Sequence, residues 1–352
     1  MIRLKFGDLI LIFAPMEKSN SLLEQIKGSK KIIITTHRNP DGDAIGSSLA
    51  LQKVLLKMGI DVSIIMPSSA PNFLSWLSGC EDIIIYDFDT ELSAKKVEEA
   101  DIIFCLDFNQ LDRIDKLGEM IRQANGVKVL IDHHLNPSDF ATFKYSSTQV
   151  SSTCEMLYSW LCIHELEKFI DGSIATALYV GILTDTGSFK FGTSPQLFRI
   201  AANLLEYGID DVEIQNKLFN SSSEKRLRLY GHCLTNRMDV FEEYATGIIW
   251  LTKEDYEHFS IERGDTEGIV NALLQIEKVV MGIFIHEQPT VVKLSLRSKG
   301  DFSVEEIARK YFKGGGHRNA SGGISFLSLD QTMEKIKEIL PNYKNKLIQY
   351  YN

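Results

Sequence analysis

Lys31-Ile-Ile-Ile-Thr-Thr36 runs without a break into His37-Arg-Asn-Pro-Asp41-Gly-Asp43, and the reading of this junction decides the fold. A lysine followed by five β-branched residues predicts a strand that is apolar on both faces, as in a parallel sheet covered on each side. The same kind of run recurs at 62–66, 83–86, 102–106 and 127–131. Helix-length segments at 44–58, 91–99 and 112–125 lie between several of these runs. A βαβ series of this kind predicts an α/β fold with helices on both faces of a mostly parallel sheet. Ligands are then expected beyond the strands' carboxyl ends.

Beyond the sheet the pattern turns helical. Ser152-Thr-Cys-Glu155 is a capping box that opens a helix over 153–163, and further helices are expected over 173–183 and 195–206. The polar break at 220–224, followed by the basic run 225–228, places a connector at 207–237. The remainder, 238–352, reads as a smaller α+β domain. It has strands at 246–251, 278–286 and 291–297 and helices at 267–276, 304–312 and 329–340. The first domain then covers 16–206. Residues 1–15 read as an extension or a mis-assigned start, because the sequence from Met16 resembles an ordinary beginning.

Composition narrows the function. At 352 residues, two domains are expected, and 44% hydrophobic with 24% charged residues is ordinary globular composition. The balance of 38 basic and 47 acidic residues leaves a formal charge of −9, which disfavours holding long nucleic acid by counterion release. Five cysteines without a C-x-x-C pair argue against a disulfide framework or structural zinc and suit a reducing cytoplasm. The apolar run 9–14 is too short to cross a membrane.

Acids and histidines recur where apolar segments end: His37, Asp41 and Asp43; Asp107; Asp132-His133-His134; and Asp185. Each has an ordinary explanation alone, since an Asp after a strand is usually a turn former or a helix cap. Together on one rim they would leave like charges uncompensated unless a cation sat among them. Imidazoles and carboxylates without thiolate suit a hard or borderline ion such as Mn²⁺. The number of ligands exceeds what one ion requires, which implies two ions and an in-line phosphoryl displacement. Mg²⁺ or Co²⁺ are possible substitutes.

These motifs resemble those of the DHH phosphoesterase family. Gly314-Gly-Gly-His317-Arg-Asn-Ala-Ser-Gly-Gly323 is similar to the signature of its companion DHHA1 domain. The resemblance implies that His37 and Asp41 bind one metal and that Asp43 and His133 bind the other. Asp107 is implied as the bridge, with Asp185 shared or close to both. His134 would face the scissile phosphate as acid or orienting group, with Asp132 behind it. In the glycine-rich tail, Gly315 and Gly316 let backbone approach an anion. Around it Arg297, Lys299, Arg309, Lys310, Lys313 and Arg318 outnumber Asp301, Glu305 and Glu306. By resemblance Arg297, His317, Arg318 and Asn319 join those glycines in gripping the substrate's distal end.

The two-domain length resembles the bacterial branch that hydrolyses short oligoribonucleotides (nanoRNA) and removes a phosphate from 3′-phosphoadenosine 5′-phosphate. The implied partners are short RNA or adenine nucleotides, with no long duplex and no membrane, and a homodimer is expected by analogy. A phosphodiesterase acting on cyclic di-AMP or pApA is the nearest alternative. A noncatalytic nucleotide-binding module is the remote one. His164, His232, His258 and His286 lack acidic partners at ligand spacing and are read as surface or satisfied core residues.

Overall fold

A computed structural model describes residues 16–220, 222–262 and 264–350, so the reading of 1–15 lies outside the described residues. The chain divides into two compact units between residues 221 and 222.

The first unit is built on β1 (Lys31–Thr36), β2 (Asp61–Met66), β3 (Ile84–Ile85), β4 (Ile102–Leu106), β5 (Val127–Asp132) and β6 (Phe143–Ser146). They form one sheet in the order β3-β2-β1-β4-β5-β6, and every pairing is parallel. The doubly apolar character of the strands has a direct cause. Ile32, Ile34, Phe104 and Ile131 pack into one core with Leu49, Leu157 and Leu178, while Ile33, Ile103, Cys105 and Leu130 pack into another with Val97, Leu117 and Ile121. The strand order reverses between β1 and β4, which is where an open α/β sheet leaves a crevice for ligands.

Local departures from the expected elements have physical reasons. β6 was not expected: Phe143 and Tyr145 are buried while Lys144 is exposed. Such a short half-buried edge strand carries too little signal to stand out. The helix expected over 112–125 is broken into a tight turn at Leu111–Ile114 and a helix Asp115–Gln123, with Asp115 at φ +48°. The stretch 207–237 contains two helices, Asp211–Phe219 and Glu224–Asn236. They belong to different units.

Two helices carry much of the first unit, Gly42–Lys57 and Gly172–Thr186. They approach so closely that a Cβ on Gly46 would lie 2.3 Å from the Ala177 carbonyl oxygen. Gly46→Ala must therefore push the pair apart, and we expect a loss of about 1–3 kcal/mol, measurable as a lower denaturation midpoint. An unchanged midpoint would contradict this packing.

The second unit holds β7 (Met238–Phe241), β8 (Thr246–Leu251), β9 (Met281–Glu287), β10 (Val292–Ser298), β11 (Gly315–Gly316) and β12 (Ala320–Ser325). The order is β11-β12-β10-β9-β8-β7, with β8 and β9 the parallel pair. The helices Val304–Tyr311 and Leu329–Ile339 bury Ile307, Ala308 and Ile336 against Ile283 and Leu294. Leu229 and Cys233, from the helix Glu224–Asn236, join a second cluster with Ile249 and Phe284. Among the described residues, no helix is long and apolar enough to cross a membrane.

Candidate active site

Strand register explains why residues far apart in sequence meet. Thr36 pairs with Leu106 and Leu106 with Ile131. The parallel strands β1, β4 and β5 therefore end level, and His37, Asp107 and Asp132 stand abreast at their carboxyl ends. Asp107 sits at φ +63°, a left-handed conformation that an Asp tolerates better than most side chains. Its N–H donates to the Ile131 carbonyl at 3.1 Å, which helps hold the turn.

Asp107 is the centre of the cluster. Its Oδ2 lies 3.4 Å from His37 Nε2 and its Oδ1 lies 3.4 Å from His133 Nε2. The two oxygens of one carboxylate thus serve two different groups. One group is His37, Asp41 and Asp107; the other is Asp43, Asp107 and His133. In each, potential ligand atoms fall within 4.8 Å of one another. Asp185 joins the second group through Oδ2, 3.2 Å from His133 Nε2, because it lies near the end of the helix Gly172–Thr186. His134 turns Nδ1 toward Asp132 Oδ1 at 2.7 Å, which fixes the plane of its ring beside Asp107.

The helices supply the remaining grip. Asp41 is the N-cap of Gly42–Lys57, and its Oδ1 accepts from the backbone N–H groups of Asp43 and Ala44. Asp43 is fully buried, and its carboxylate takes the start of the helix Thr153–Ile163: the Thr153 N–H at 2.6 Å and the Cys154 N–H at 2.8 Å. The Thr153 hydroxyl donates to Asp107 Oδ1 at 3.1 Å. The sequence showed the Ser152 cap of this helix, and the structure shows that the same turn also orients two acids of the site. Its signal was hidden because 110 residues separate Asp43 from Thr153.

The electrostatics are those of a crowded anionic pocket. Burial, reinforced by the Asp107 and Asp185 carboxylates, pushes Asp43 well above the usual carboxylate range. Burial likewise raises Asp185, to about 6. Burial opposes charge on Asp107 too, but His133 and His37 overcome it and hold its carboxyl well below the usual range. At His37, burial disfavours the imidazolium, yet Asp107 and Asp41 outweigh it and push the ring up to about 10. Buried carboxylates this close together favour positive charge among them.

A match to the DHH family, N-terminal domain, covers residues 31–182, and a match to the DHHA1 domain covers residues 245–343. The bifunctional oligoribonuclease and PAP phosphatase NrnA of Thermus thermophilus is 32% identical over 92% of this chain and 93% of its own length. The chain belongs to the DHH family. The Bacillus subtilis protein of the same name is 29% identical over 88% of this chain and 94% of its own. The crystal structure of an exopolyphosphatase-related protein from Bacteroides fragilis matches with a TM-score of 0.91 and 38% identity, covering 95% of this chain and 98% of that one. His37–Asp43, Asp107 and Asp132–His134 lie inside the matched stretch 31–182, and Asp185 lies just beyond its end.

In the DHHA1 unit, Gly315 and Gly316 are β11, paired with Gly322 and Ser321 of β12. This is a hairpin rather than an open loop. Gly314 has no alternative there, since a Cβ would fall 1.9 Å from the Gly322 carbonyl oxygen. Around Gly315 the space is open. Arg318 is exposed and pairs with Asp301 at 3.0 Å. Arg297 lies on β10 opposite Ala320, and His317 begins the turn before it. The Asn319 amide donates to the Ser298 hydroxyl at 2.9 Å and the Gly300 carbonyl at 2.8 Å. It therefore fastens the hairpin to the loop after β10. His232 is satisfied by Asp255, 2.9 Å from its Nε2. That carboxylate also accepts two bonds from Arg237, a tertiary pairing that sequence spacing does not display.

Proposed function

We propose that the chain is a divalent-metal-dependent phosphoesterase that cleaves short oligoribonucleotides to mononucleotides and dephosphorylates 3′-phosphoadenosine 5′-phosphate. The observation that carries the chemistry is the divided use of Asp107, one oxygen toward His37 and the other toward His133. Two relatives named as bifunctional oligoribonuclease and PAP phosphatase, each matched over nearly its whole length, support the substrate class.

The residues fit a pair of hard or borderline divalent ions, Mn²⁺ foremost. The donors are carboxylates and imidazoles, and buried acids stand too close together without positive charge between them. His37 and Asp41 would hold one ion, Asp43 and His133 the other, with Asp107 between them and Asp185 beside His133. Such a pair supplies Lewis-acid activation of water and neutralises charge gathering on the phosphate. The protein's own groups supply the geometry. The N–H groups of Thr153 and Cys154 orient Asp43, and Asp132 fixes the His134 ring through Nδ1. His134 would orient a phosphate oxygen or pass a proton to the leaving oxygen. Arg297, Gly315, Gly316, His317, Arg318 and Asn319 would bind the distal phosphate or base. Five free cysteines suit a cytoplasmic setting.

The test is incubation of purified protein and Mn²⁺ with pApA, 3′-phosphoadenosine 5′-phosphate, cyclic di-AMP and pyrophosphate. Cleavage of 3′-phosphoadenosine 5′-phosphate together with pApA, here the shortest adenine oligoribonucleotide, is expected. Cleavage of pApA without 3′-phosphoadenosine 5′-phosphate, or preferred cleavage of cyclic di-AMP or pyrophosphate, would reassign the substrate, and binding without cleavage would make the chain a nucleotide-binding module. Within the active enzyme, Arg318→Ala should raise KM severalfold and leave kcat within about twofold, as removal of ground-state grip does. A fall in kcat at unchanged KM would move Arg318 out of that role.

A further inference from the structure

The loop that carries His37 is braced by a charge cluster for which the two-ion reading has no use. Nδ1 of His37 lies 3.0 Å from the Arg38 carbonyl oxygen. A proton on Nδ1 donated there leaves Nε2 as the nitrogen that faces Asp107 and Asp41. The direction of that carbonyl is set by the backbone of residue 38, so whatever fixes this backbone also fixes the ring.

Three separate loops converge to fix it. The Arg38 N–H donates to the Arg113 carbonyl at 2.9 Å. Its guanidinium reaches Asp87, just beyond β3, through Nη1 at 2.7 Å and Nη2 at 2.8 Å. Its Nε donates to Asp115, which opens its helix in the left-handed region at φ +48°. The next residue, Asn39, is also left-handed at φ +57°, and its N–H donates to the Ser68 hydroxyl at 2.9 Å.

Stability does not account for this arrangement. Arg38 is 34% exposed at its side chain, and Asp87 and Asp115 are 40% and 53% exposed. Pairs as open as these contribute about 0–1 kcal/mol. A planar fork held on two sides instead supplies direction, which a flexible ammonium cannot. We propose that Arg38 is a positioning residue for the ion held by His37 and Asp41, with Asp87 and Asp115 as the two jaws that hold it. The proposal rests on the two-ion reading above.

The experiment measures Mn²⁺ uptake by the ion-free full chain, following free Mn²⁺ by electron paramagnetic resonance, with no substrate present. Three variants are compared with the parent: Arg38→Met, Arg38→Lys, and the double change Asp87→Asn with Asp115→Asn. Arg38→Met and the double variant should weaken one of the two ions about tenfold, the range seen when a partner of a metal ligand is lost. Arg38→Lys should recover only part, having one ammonium for two carboxylates. In turnover of a short oligoribonucleotide, kcat should fall by a similar factor at nearly constant KM. The ion-free denaturation midpoint should move by no more than about 4 °C. Unchanged Mn²⁺ affinity in Arg38→Met and in the double variant would overturn the brace. So would an affinity loss matched by a collapse of the ion-free midpoint, since Arg38 would then be merely structural. A parent chain that takes up no Mn²⁺ would overturn the two-ion reading, and the brace with it.

Discussion

Asp107→Ala lowers turnover by about 10³-fold or more, equivalent to ~4 kcal/mol of lost transition-state stabilisation. The size follows from the position of this one side chain. Its two oxygens lie 3.4 Å from two histidines that belong to different ligand groups, and it is common to both groups. Its neighbours are engaged elsewhere: Asp41 is tied to its helix cap, Asp43 is turned toward the Thr153 and Cys154 amides, and Asp185 lies against His133 alone of the two histidines. Asp107→Asn separates charge from shape. It keeps a residue that tolerates a positive φ, yet should still lose most activity because an amide cannot bind two cations through two anionic oxygens. Steady-state kinetics at ordinary Mn²⁺ concentration decide the matter. Turnover within tenfold of the parent in the alanine variant would remove Asp107 from the bridge.

The second large effect is on stability. Ions that bind the folded chain and not the unfolded one stabilise it by about 2.7 kcal/mol each at a hundredfold excess over Kd. For two ions this is about 5 kcal/mol. In a unit of this size that corresponds to a midpoint about 10–20 °C higher. The direction follows from the pocket itself. Burial and neighbouring acids push Asp43 and Asp185 up, so positive charge among them is favourable. Calorimetric scans of chelated and Mn²⁺-loaded protein are the check, with Asp107→Ala as control. Equal midpoints with and without Mn²⁺ would show that the cluster binds no ion of consequence.

Much of this site is legible in the sequence because its residues stand where apolar strands stop. Thr36 gives way to His37, Leu106 to Asp107 and Ile131 to Asp132, and any parallel sheet brings such ends to one rim. What could not be read was three-dimensional by nature. The left-handed turn at Asp107 leaves no mark in residue type. The bond from the Thr153 amide to Asp43 joins distant elements, and the local motif there advertised only a helix cap. The bonds from the Asn319 amide to Ser298 and Gly300 also left no mark in the tail signature. β6 escaped notice since Phe143 and Tyr145 alternate over too few positions to outweigh the polar residues beside them.

The level ends of β1, β4 and β5 carry a consequence for how the sheet finds its alignment. These strands are greasy on both sides, so sliding one past its neighbour by a residue trades one apolar face for the other, with Phe104 and Cys105 exchanging cores. At the rim the same slip would carry Asp107 about 3.3 Å away from His37 and His133. The cations would thus act as a gauge of correct assembly, rewarding the single alignment in which the acids and imidazoles line up.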